Sequence, residues 1–169
     1  MDDPARIKGA SAVAELLASA GTLLVEFGTL GRLTRRPVFY DKAKRALVAT
    51  YDRRSKIGLV GEWINVETGS WTKTDSHISG AIDSYYEYLL KCSLLFGDRD
   101  CRRMWDESIV AINKYLADEI NNEQFGKELW YGHADMNTGA RAATTYGALD
   151  AFFPAVLALS GDLKRAGRL

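Results

Sequence analysis

The chain has 169 residues, of which 47% are hydrophobic and 26% are charged, a composition typical of a globular domain with one sizeable core. Basic and acidic residues both total 22, so the overall charge does not favour a nucleic-acid or membrane-surface partner. No apolar run reaches the roughly 18 residues of a membrane span. The first ten residues contain no apolar signal core, and two histidines without a Cys/His cluster argue against a zinc site.

Apolar-periodic segments alternate with short Gly/Thr turns along the chain. The predicted helices span 18–34, 38–53, 82–96, 100–118 and 145–160. Between the helix pairs, 58–71 (GLVGEWINVETGSW) and 127–140 (KELWYGHADMNTGA) mix β-favouring residues with a Thr-Gly turn. Each of these segments is therefore predicted to form a short hairpin. Cys92 and Cys101 could form a disulfide, although two cysteines alone do not establish one.

The two halves of the chain resemble each other. NVETGS at 65–70 matches DMNTGA at 135–140, and GAIDSYY at 80–86 matches GALDAFF at 147–153. These matches, in order, predict a repeated helix-pair unit of about 65 residues. In the second pair, SYYEYLLKCSLLF is apolar nearly all round and the following helix is amphipathic. An all-α barrel with an inner and an outer ring of helices fits this pattern, and so does an open solenoid.

About two and a half such units are too few to close a ring. We therefore expect residues 1–169 to form a single incomplete barrel segment. Its helix-pair units span about 18–73 and 80–141, a further inner helix spans 145–160, and the hairpins lie at one end.

Acidic residues on the apolar helices need an explanation, because burying an unpaired carboxylate is costly. Asp83 and Glu87 are four residues apart and share one face of the predicted helix. Glu87 fits a capping box with Ser84 and an ion pair with Lys91. Asp83 has no basic residue within four positions, so both a helix cap and a functional role are open.

Glu26 also lies on an apolar helix and has no basic residue three or four positions away. A salt bridge to another helix and a functional role are both open for it. Asp150 is expected to be a helix cap, and Pro154 either kinks its helix or marks the first turn. The remaining candidates are expected to be surface, hairpin or turn residues: His77, His133, Asp75 and Asp135. Paired carboxylates beside aromatic residues are what glycoside hydrolysis requires, although a scaffold would show the same periodicity.

GAIDSYYEYLLK at 80–91 resembles a specific motif of glycoside hydrolase family 47, the class I α-1,2-mannosidases. LLVEFGTLGRLT at 23–34 resembles the preceding inner-helix motif of that family, and 58–71 resembles the hairpin between the two. DMNTGA followed by ALDAFFPAVLALSGDL is similar to the ER degradation-enhancing branch. The resemblance covers about residues 8–165 and implies an (α/α)7 barrel.

The family resemblance implies removal of α-1,2-linked mannose, with inversion, from N-glycan-type oligosaccharides or glycoproteins. By position, Asp83 corresponds to a catalytic carboxylate, whose role as acid, base or orienting group stays open, and Glu26 corresponds to a substrate-binding acid. The family also implies a calcium ion, Ca2+, whose ligand belongs to a C-terminal segment without a match here, so no metal ligand is predicted in this chain. The implied location is the endoplasmic reticulum lumen or, for a bacterial source, the periplasm or the exterior.

The chain also departs from the family pattern. Ala81 stands where the processing mannosidases have an arginine, and Ala148 stands where they have a histidine. The family's upstream and downstream glutamates have no match, although inverting hydrolysis needs two carboxylates. We therefore expect a middle segment of a family 47 enzyme that is inactive alone. The alternatives are a mannose-binding lectin of glycoprotein quality control and an inactive fragment.

Overall fold

The computed structural model describes residues 14–124 and 126–169, so the N-terminal stretch searched for a signal core lies outside the described residues. The helices are α1 (Leu17–Gly21), α2 (Leu24–Thr34), α3 (Val38–Tyr51), α4 (Asp83–Phe96), α5 (Arg99–Tyr115), α6 (Phe153–Ser160) and α7 (Leu163–Ala166), with a 3-10 turn at Ala148–Asp150. The strands are β1 (Ala14–Leu16), β2 (Trp63–Asn65), β3 (Trp71–Lys73), β4 (Asp75–Ser76), β5 (Ala117–Asn122), β6 (Gly126–Tyr131), β7 (His133–Asp135) and β8 (Arg141–Ala143). None of the helices in this described part is long and apolar enough to cross a membrane.

Helices α2, α4 and α6 form one row, because α4 contacts α2 and also contacts α6. Helix α3 packs against α2, and α5 packs against α4. Each helix pair therefore has one member in the row and one member packed against it, as the repeat predicted. The expected helix pairs are confirmed, whereas the strands are more numerous than the two predicted hairpins provide.

The two classes of helix follow from their sequences. In α5 the buried residues recur every three or four positions, at Cys101, Met104, Trp105, Ser108, Ala111 and Ile112. The rest of its surface is mostly charged, which gives an amphipathic helix that needs one apolar neighbour. Helix α4 buries Tyr85, Tyr86, Leu89, Leu90 and Cys92, yet Leu94 and Leu95 on its other side are about half exposed. Helix α4 thus presents an apolar surface at Leu94 and Leu95 that the described residues leave partly exposed.

The two hairpins predicted from the repeat have the same turn geometry. Asn65 Oδ1 accepts hydrogen bonds from the Glu67 and Thr68 amides at 3.0 and 2.9 Å. Asp135 Oδ1 accepts from the amides two and three residues later, both at 3.0 Å. Each turn closes on a glycine with positive φ, Gly69 at 71° and Gly139 at 72°. The sequence match between NVETGS and DMNTGA therefore reports a shared Asx-type turn.

The hairpins meet in a common sheet. Strand β4 follows the first hairpin and pairs antiparallel with β7 of the second, with Asp75 opposite Asp135 and Ser76 opposite Ala134. Strands β1, β2 and β3 form a second sheet. Because β4 leads directly toward α4, this pairing places both hairpins at the end of the structure where α4 begins.

The predicted hairpin at 127–140 is confirmed around its Thr-Gly turn, but its first residues pair elsewhere. Gly126–Tyr131 pairs with β5, and His133–Asp135 pairs with β8, so the segment contributes strands to two different sheets. The predicted helix at 100–118 ends at Tyr115. The last two residues of the predicted range, 117 and 118, instead begin β5, which spans Ala117–Asn122. Six residue pairs between β5 and β6 stabilise the strand here, although the apolar periodicity of the sequence favours a longer helix.

The predicted helix at 18–34 is two helices. Thr22, between α1 and α2, donates its hydroxyl to the Ala18 carbonyl, a local bond that competes with the backbone ladder. Gly21 lies so near α4 that an added Cβ would stand 2.5 Å from a Tyr85 ring carbon. The predicted helix at 145–160 is likewise a 3-10 turn followed by α6, with Pro154 in the first turn of α6.

Cys92 and Cys101 form a disulfide that joins the last turn of α4 to the first turn of α5. Between them, Asp98 caps α5 by accepting hydrogen bonds from the amides of Asp100 and Cys101 at 2.9 and 2.8 Å. Lys44 donates to the same carboxylate at 2.6 Å, and Tyr40 donates its hydroxyl to the other oxygen. Burial alone would raise the pKa of Asp98, but these donors lower it from 3.8 to about 2.

The pKa of Asp98 predicts an acid-sensitive contribution to stability. Because its pKa is lower in the folded chain, the contribution is fully present above pH 3.8 and is lost as the pH falls toward 2. We expect Asp98→Asn to lower the free energy of unfolding by about 2 kcal/mol near neutral pH. The difference from wild type should shrink in urea titrations below pH 4. Asp106→Asn, on an exposed ion pair with Arg102, is the matched control with little effect. A difference that stayed constant down to pH 2 would contradict the assignment.

Ala81, just before α4, has a φ of 82°, a conformation that strains any residue with a Cβ. Replacing it with glycine removes the clash of Cβ with the backbone. We expect Ala81→Gly to raise the free energy of unfolding by about 1 kcal/mol. Ala46→Gly, the same chemical change inside α3, should lower it by about 1 kcal/mol. Denaturant unfolding of both variants checks the opposite signs, and destabilisation by both would disprove strain at Ala81.

Candidate functional site

The segment Ser79–Ile82 determines where α4 begins and thereby places Asp83. The Ser79 carbonyl accepts hydrogen bonds from the Ile82 and Asp83 amides at 3.2 and 2.8 Å. The Ala81 carbonyl accepts from the Ala18 amide at 2.8 Å, which ties the segment to α1. Asp83 is consequently the first helical residue, with Ile82 at the N-cap position.

Asp83 does not cap α4. Its Oδ1 accepts from the Ser84 amide at 2.6 Å and from the Ser84 hydroxyl at 3.0 Å, both within the adjacent residue. A capping carboxylate would accept from amides two or three residues further on. The alternative that Asp83 is a helix cap is therefore wrong. One carboxylate oxygen is fixed by Ser84, and the group has no ion-pair partner within the described ranges.

Asp83 and Glu87 line the same shallow cleft, of about 250 Å³, with Ser84 between them. The opposite wall comes from the turn before α6, which contributes Ala148, Leu149 and Phe152. The predicted shared face of Asp83 and Glu87 is confirmed. The cleft combines two carboxylates, a hydroxyl and an aromatic ring, which is a surface able to bind a polyol by hydrogen bonds and apolar contact.

Glu87 has the ordinary partner that the sequence predicted. Lys91 Nζ lies 2.6 Å from its carboxylate, in an ion pair one helical turn apart. The predicted capping box with Ser84 does not form, because the helix begins at Asp83 and Ser84 is already inside it. The Ser84 hydroxyl bonds to Asp83 instead.

Glu26 of α2 accepts a hydrogen bond from the Tyr88 hydroxyl of α4. Partial burial and the neighbouring Glu26 raise the pKa of Tyr88, so its hydroxyl stays a donor. Glu26 is exposed, and its partner on another helix is a tyrosine hydroxyl; among the described residues it forms no salt bridge, so that alternative is wrong. Tyr88 follows Asp83 by five residues, a rise of about 7.5 Å along α4. One helix therefore carries Asp83 and holds Glu26.

A second polar cluster lies where the two hairpins meet. His133 Nδ1 lies 2.8 Å from Asp75 Oδ2, and the His77 and His133 rings have centroids 4.3 Å apart. His77 Nε2 lies 3.9 Å from Asp75 and 3.8 Å from Glu62 Oε2. The Thr145 hydroxyl is 3.2 Å from His133 Nε2. The prediction of a surface or hairpin position is wrong for His77, which is only 4% exposed. His77 directly follows β4, where the pairing of β4 with β7 brings the two hairpins together.

The turn residues have mixed outcomes. Asp135 has the predicted turn role. Asp75 does not, because it lies in β4 and bonds to His133. Asp150 is confirmed as a cap, since its carboxylate accepts from the Gly147 amide at 2.7 Å.

The protonation of His77 bears on metal binding. The Ser79 amide donates to His77 Nδ1 at 3.1 Å, so in the neutral ring the proton is on Nε2, the nitrogen that faces the carboxylates. A metal at Nε2 would need that nitrogen's lone pair, so the arrangement suits a hydrogen-bond donor rather than a ligand. The other compact group in the described chain contains Cys92 and Cys101, which are disulfide-bonded. Neither group provides the all-oxygen set that calcium requires, so we derive no step through calcium.

Two features of the site were missed at the level of sequence. Tyr88 lies in the motif GAIDSYYEYLLK, but its bond to Glu26 joins positions 62 residues apart. The signal available for His77 is its position six residues before Asp83, across the turn that precedes α4. For both Tyr88 and His77, the sequence shows the residue but not the group with which it forms a hydrogen bond.

The family model of glycosyl hydrolase family 47 matches residues 3–168. Alpha-mannosidase I MNS4 of Arabidopsis thaliana is 41% identical over 151 residues, covering 89% of this chain and 23% of that protein. ER degradation-enhancing alpha-mannosidase-like protein 2 of Homo sapiens is 38% identical over 151 residues, covering 89% of this chain and 25% of that protein.

The solved structure of the alpha-1,2-mannosidase from Trichoderma reesei aligns with a TM-score of 0.71 and 20% sequence identity. It covers 94% of this chain and 34% of that structure, and at this identity the likeness shows the fold alone. The chain spans about a quarter of the length of the two curated relatives it matches. With the family model matched over nearly all of its residues, the chain belongs to glycosyl hydrolase family 47.

Proposed function

We propose that this chain is the part of a glycosidase that contacts α-1,2-linked mannose in N-glycan-type oligosaccharides or glycoproteins, which the whole protein hydrolyses with inversion. The observation that carries the proposal is that α4 presents Asp83 and Glu87 to one cleft and holds Glu26 through Tyr88. The helix pairs would then form part of an (α/α)7 barrel, with this face toward the barrel axis. The exposed leucines of α2 and α4 support that placement, because the same face is apolar beyond the acids.

Asp83 is the proposed catalytic carboxylate. Ser84 fixes one of its oxygens through two hydrogen bonds, so the other oxygen can accept from a water or a sugar hydroxyl. Glu26 is the proposed substrate-binding acid, oriented by the Tyr88 hydroxyl. Inverting hydrolysis needs a second carboxylate across the scissile bond. That group, the calcium ion and the boundaries of the barrel segment stay predictions that refer to the longer protein.

The proposed location is the lumen of the secretory pathway or, in a bacterial source, the periplasm or the exterior. The Cys92–Cys101 disulfide supports this, because disulfides persist in oxidising compartments. The name of the human relative, an ER degradation-enhancing alpha-mannosidase-like protein, agrees with it.

A second candidate function is glycan binding without hydrolysis. The residue that favours it is Ala148, which lines the cleft opposite Asp83 without any polar group. A cleft with carboxylates on one wall and apolar side chains on the other can bind a sugar without completing acid–base catalysis.

The two functions are separated by substituting the acids in the complete protein. With an α-1,2-linked mannose oligosaccharide and calcium supplied, Asp83→Asn should lower kcat at least about a hundredfold, because it removes a proton-transferring or orienting group. Glu26→Gln should mainly raise KM, about tenfold, because it weakens a sugar contact. Asp106→Asn, the same change on the outer helix α5, is the matched control and should leave both constants unchanged.

Near-normal mannose release by the Asp83→Asn protein would remove Asp83 from the chemistry. Saturable binding of the oligosaccharide by the wild-type protein without any release would support the lectin-like function instead. Circular dichroism of each variant should match wild type, which separates loss of activity from loss of folding.

A further inference from the structure

His77 accepts a backbone hydrogen bond in the way that asparagine and aspartate do elsewhere in this fold. Its Nδ1 accepts from the amide two residues later, Ser79, at 3.1 Å. Asn65 and Asp135 accept through Oδ1 from the amides two residues later at 3.0 Å. His77 therefore provides the acceptor of an Asx-like turn, but with a group that can be protonated near neutral pH.

We propose that His77 is a positioning residue for Asp83. Its unprotonated Nδ1 holds the Ser79 amide, and the Ser79 carbonyl in turn accepts the Asp83 amide at 2.8 Å. Only the significance of Asp83 for sugar chemistry rests on the proposed function. The coupling from His77 through Ser79 to Asp83 stands on these hydrogen bonds.

Protonation of His77 breaks this chain of hydrogen bonds. The added proton goes to Nδ1, because Nε2 already carries one, and Nδ1–H then faces the Ser79 N–H as a second donor. A partly buried amide without an acceptor is unfavourable, so protonation favours a rearranged turn. The turn also contains Ala81 at positive φ, a conformation that its surroundings must maintain. The beginning of α4 is thus held by few bonds, and His77 supplies one of them.

Charged and titratable groups face His77 from each element packed around it. They are His133 on β7, Asp75 on β4, Glu62 before β2 with its partner Lys73 on β3, and Asp150 in the 3-10 turn. Burial lowers the pKa of His77 and the neighbouring His133 lowers it further, while the three carboxylates act in the opposite direction. The net pKa lies below the ordinary 6.5. The hydrogen bond from the Ser79 amide to His77 is therefore intact above pH 6.5. It is lost as the pH falls through the lowered pKa of His77 in the folded chain.

The test is a pH titration of the isotope-labelled chain by NMR from pH 8 to 4.5. The Ser79 and Asp83 amide signals should shift together with the His77 ring, at a midpoint below 6.5. His77→Asn retains an acceptor for the Ser79 amide and cannot be protonated, so both amide signals should become independent of pH over this range. His133→Gln leaves His77 as the one histidine of the chain, since the sequence has two. Its Ser79 signal should still titrate, with a higher midpoint because the neighbouring ring is gone.

Hydrogen exchange at Ser79 gives a second measure. After correction for the intrinsic pH effect, exchange in the wild-type chain should be about tenfold faster below the midpoint than above it. Exchange in the His77→Asn chain should show no such step. If that variant fails to fold, the wild-type and His133→Gln titrations still decide the question.

A Ser79 amide that did not respond to the His77 ring would overturn the proposal. So would a response that persisted in His77→Asn, or a Ser79 response that did not reach Asp83. Adding α-1,2-mannobiose with calcium to the complete protein tests the proposed function separately. Absence of any sugar-induced shift at pH 7.5 would count against mannose binding and would leave the result on His77 unaffected.

Discussion

The rest of the structure depends on the burial of one side of α4. Tyr85, Tyr86, Leu89 and Leu90 are fully buried between neighbouring elements, and each of the two leucines contributes roughly 1.5–3 kcal/mol when removed from water. Their positions fix the rotation of the helix about its axis. Once that rotation is set, Glu87 and Tyr88 must point to the other side, with Asp83 at the border between the two sides, because residues on a helix keep their angular relation. The orientation of the candidate site is therefore a consequence of packing on the opposite face.

The same constraint explains how much was predictable. Helices α3, α4 and α5 were predicted within one to three residues of their observed bounds, because apolar periodicity and the αL residue Gly97 are local signals. The two Asx-type turns were predictable for the same reason, since Asn65 and Asp135 bond within three residues of themselves. The motif around Asp83 carried the family assignment without any knowledge of contacts.

Interactions over long sequence separations were not predictable in this way. His133 and Asp75 are 58 residues apart, and Glu26 and Tyr88 are 62 apart. Their pairing depends on how two repeat units sit side by side, which no local pattern records. The β5–β6 ladder was missed because Ala117–Asn122 continues the apolar periodicity of α5, while its partner strand starts only at Gly126.

The Cys92–Cys101 disulfide has a consequence for how the chain reaches this fold. It closes a loop with a sequence separation of nine between the end of α4 and the start of α5. In the oxidised unfolded chain the facing ends of the two helices stay together, so the loop-closure entropy for their first contact is already removed. Pairing of α4 with α5 becomes a local event of low contact order, ahead of the sheet that joins distant hairpins. The bridge at one end of α4 thus favours early formation of the helix that carries Asp83 at its other end.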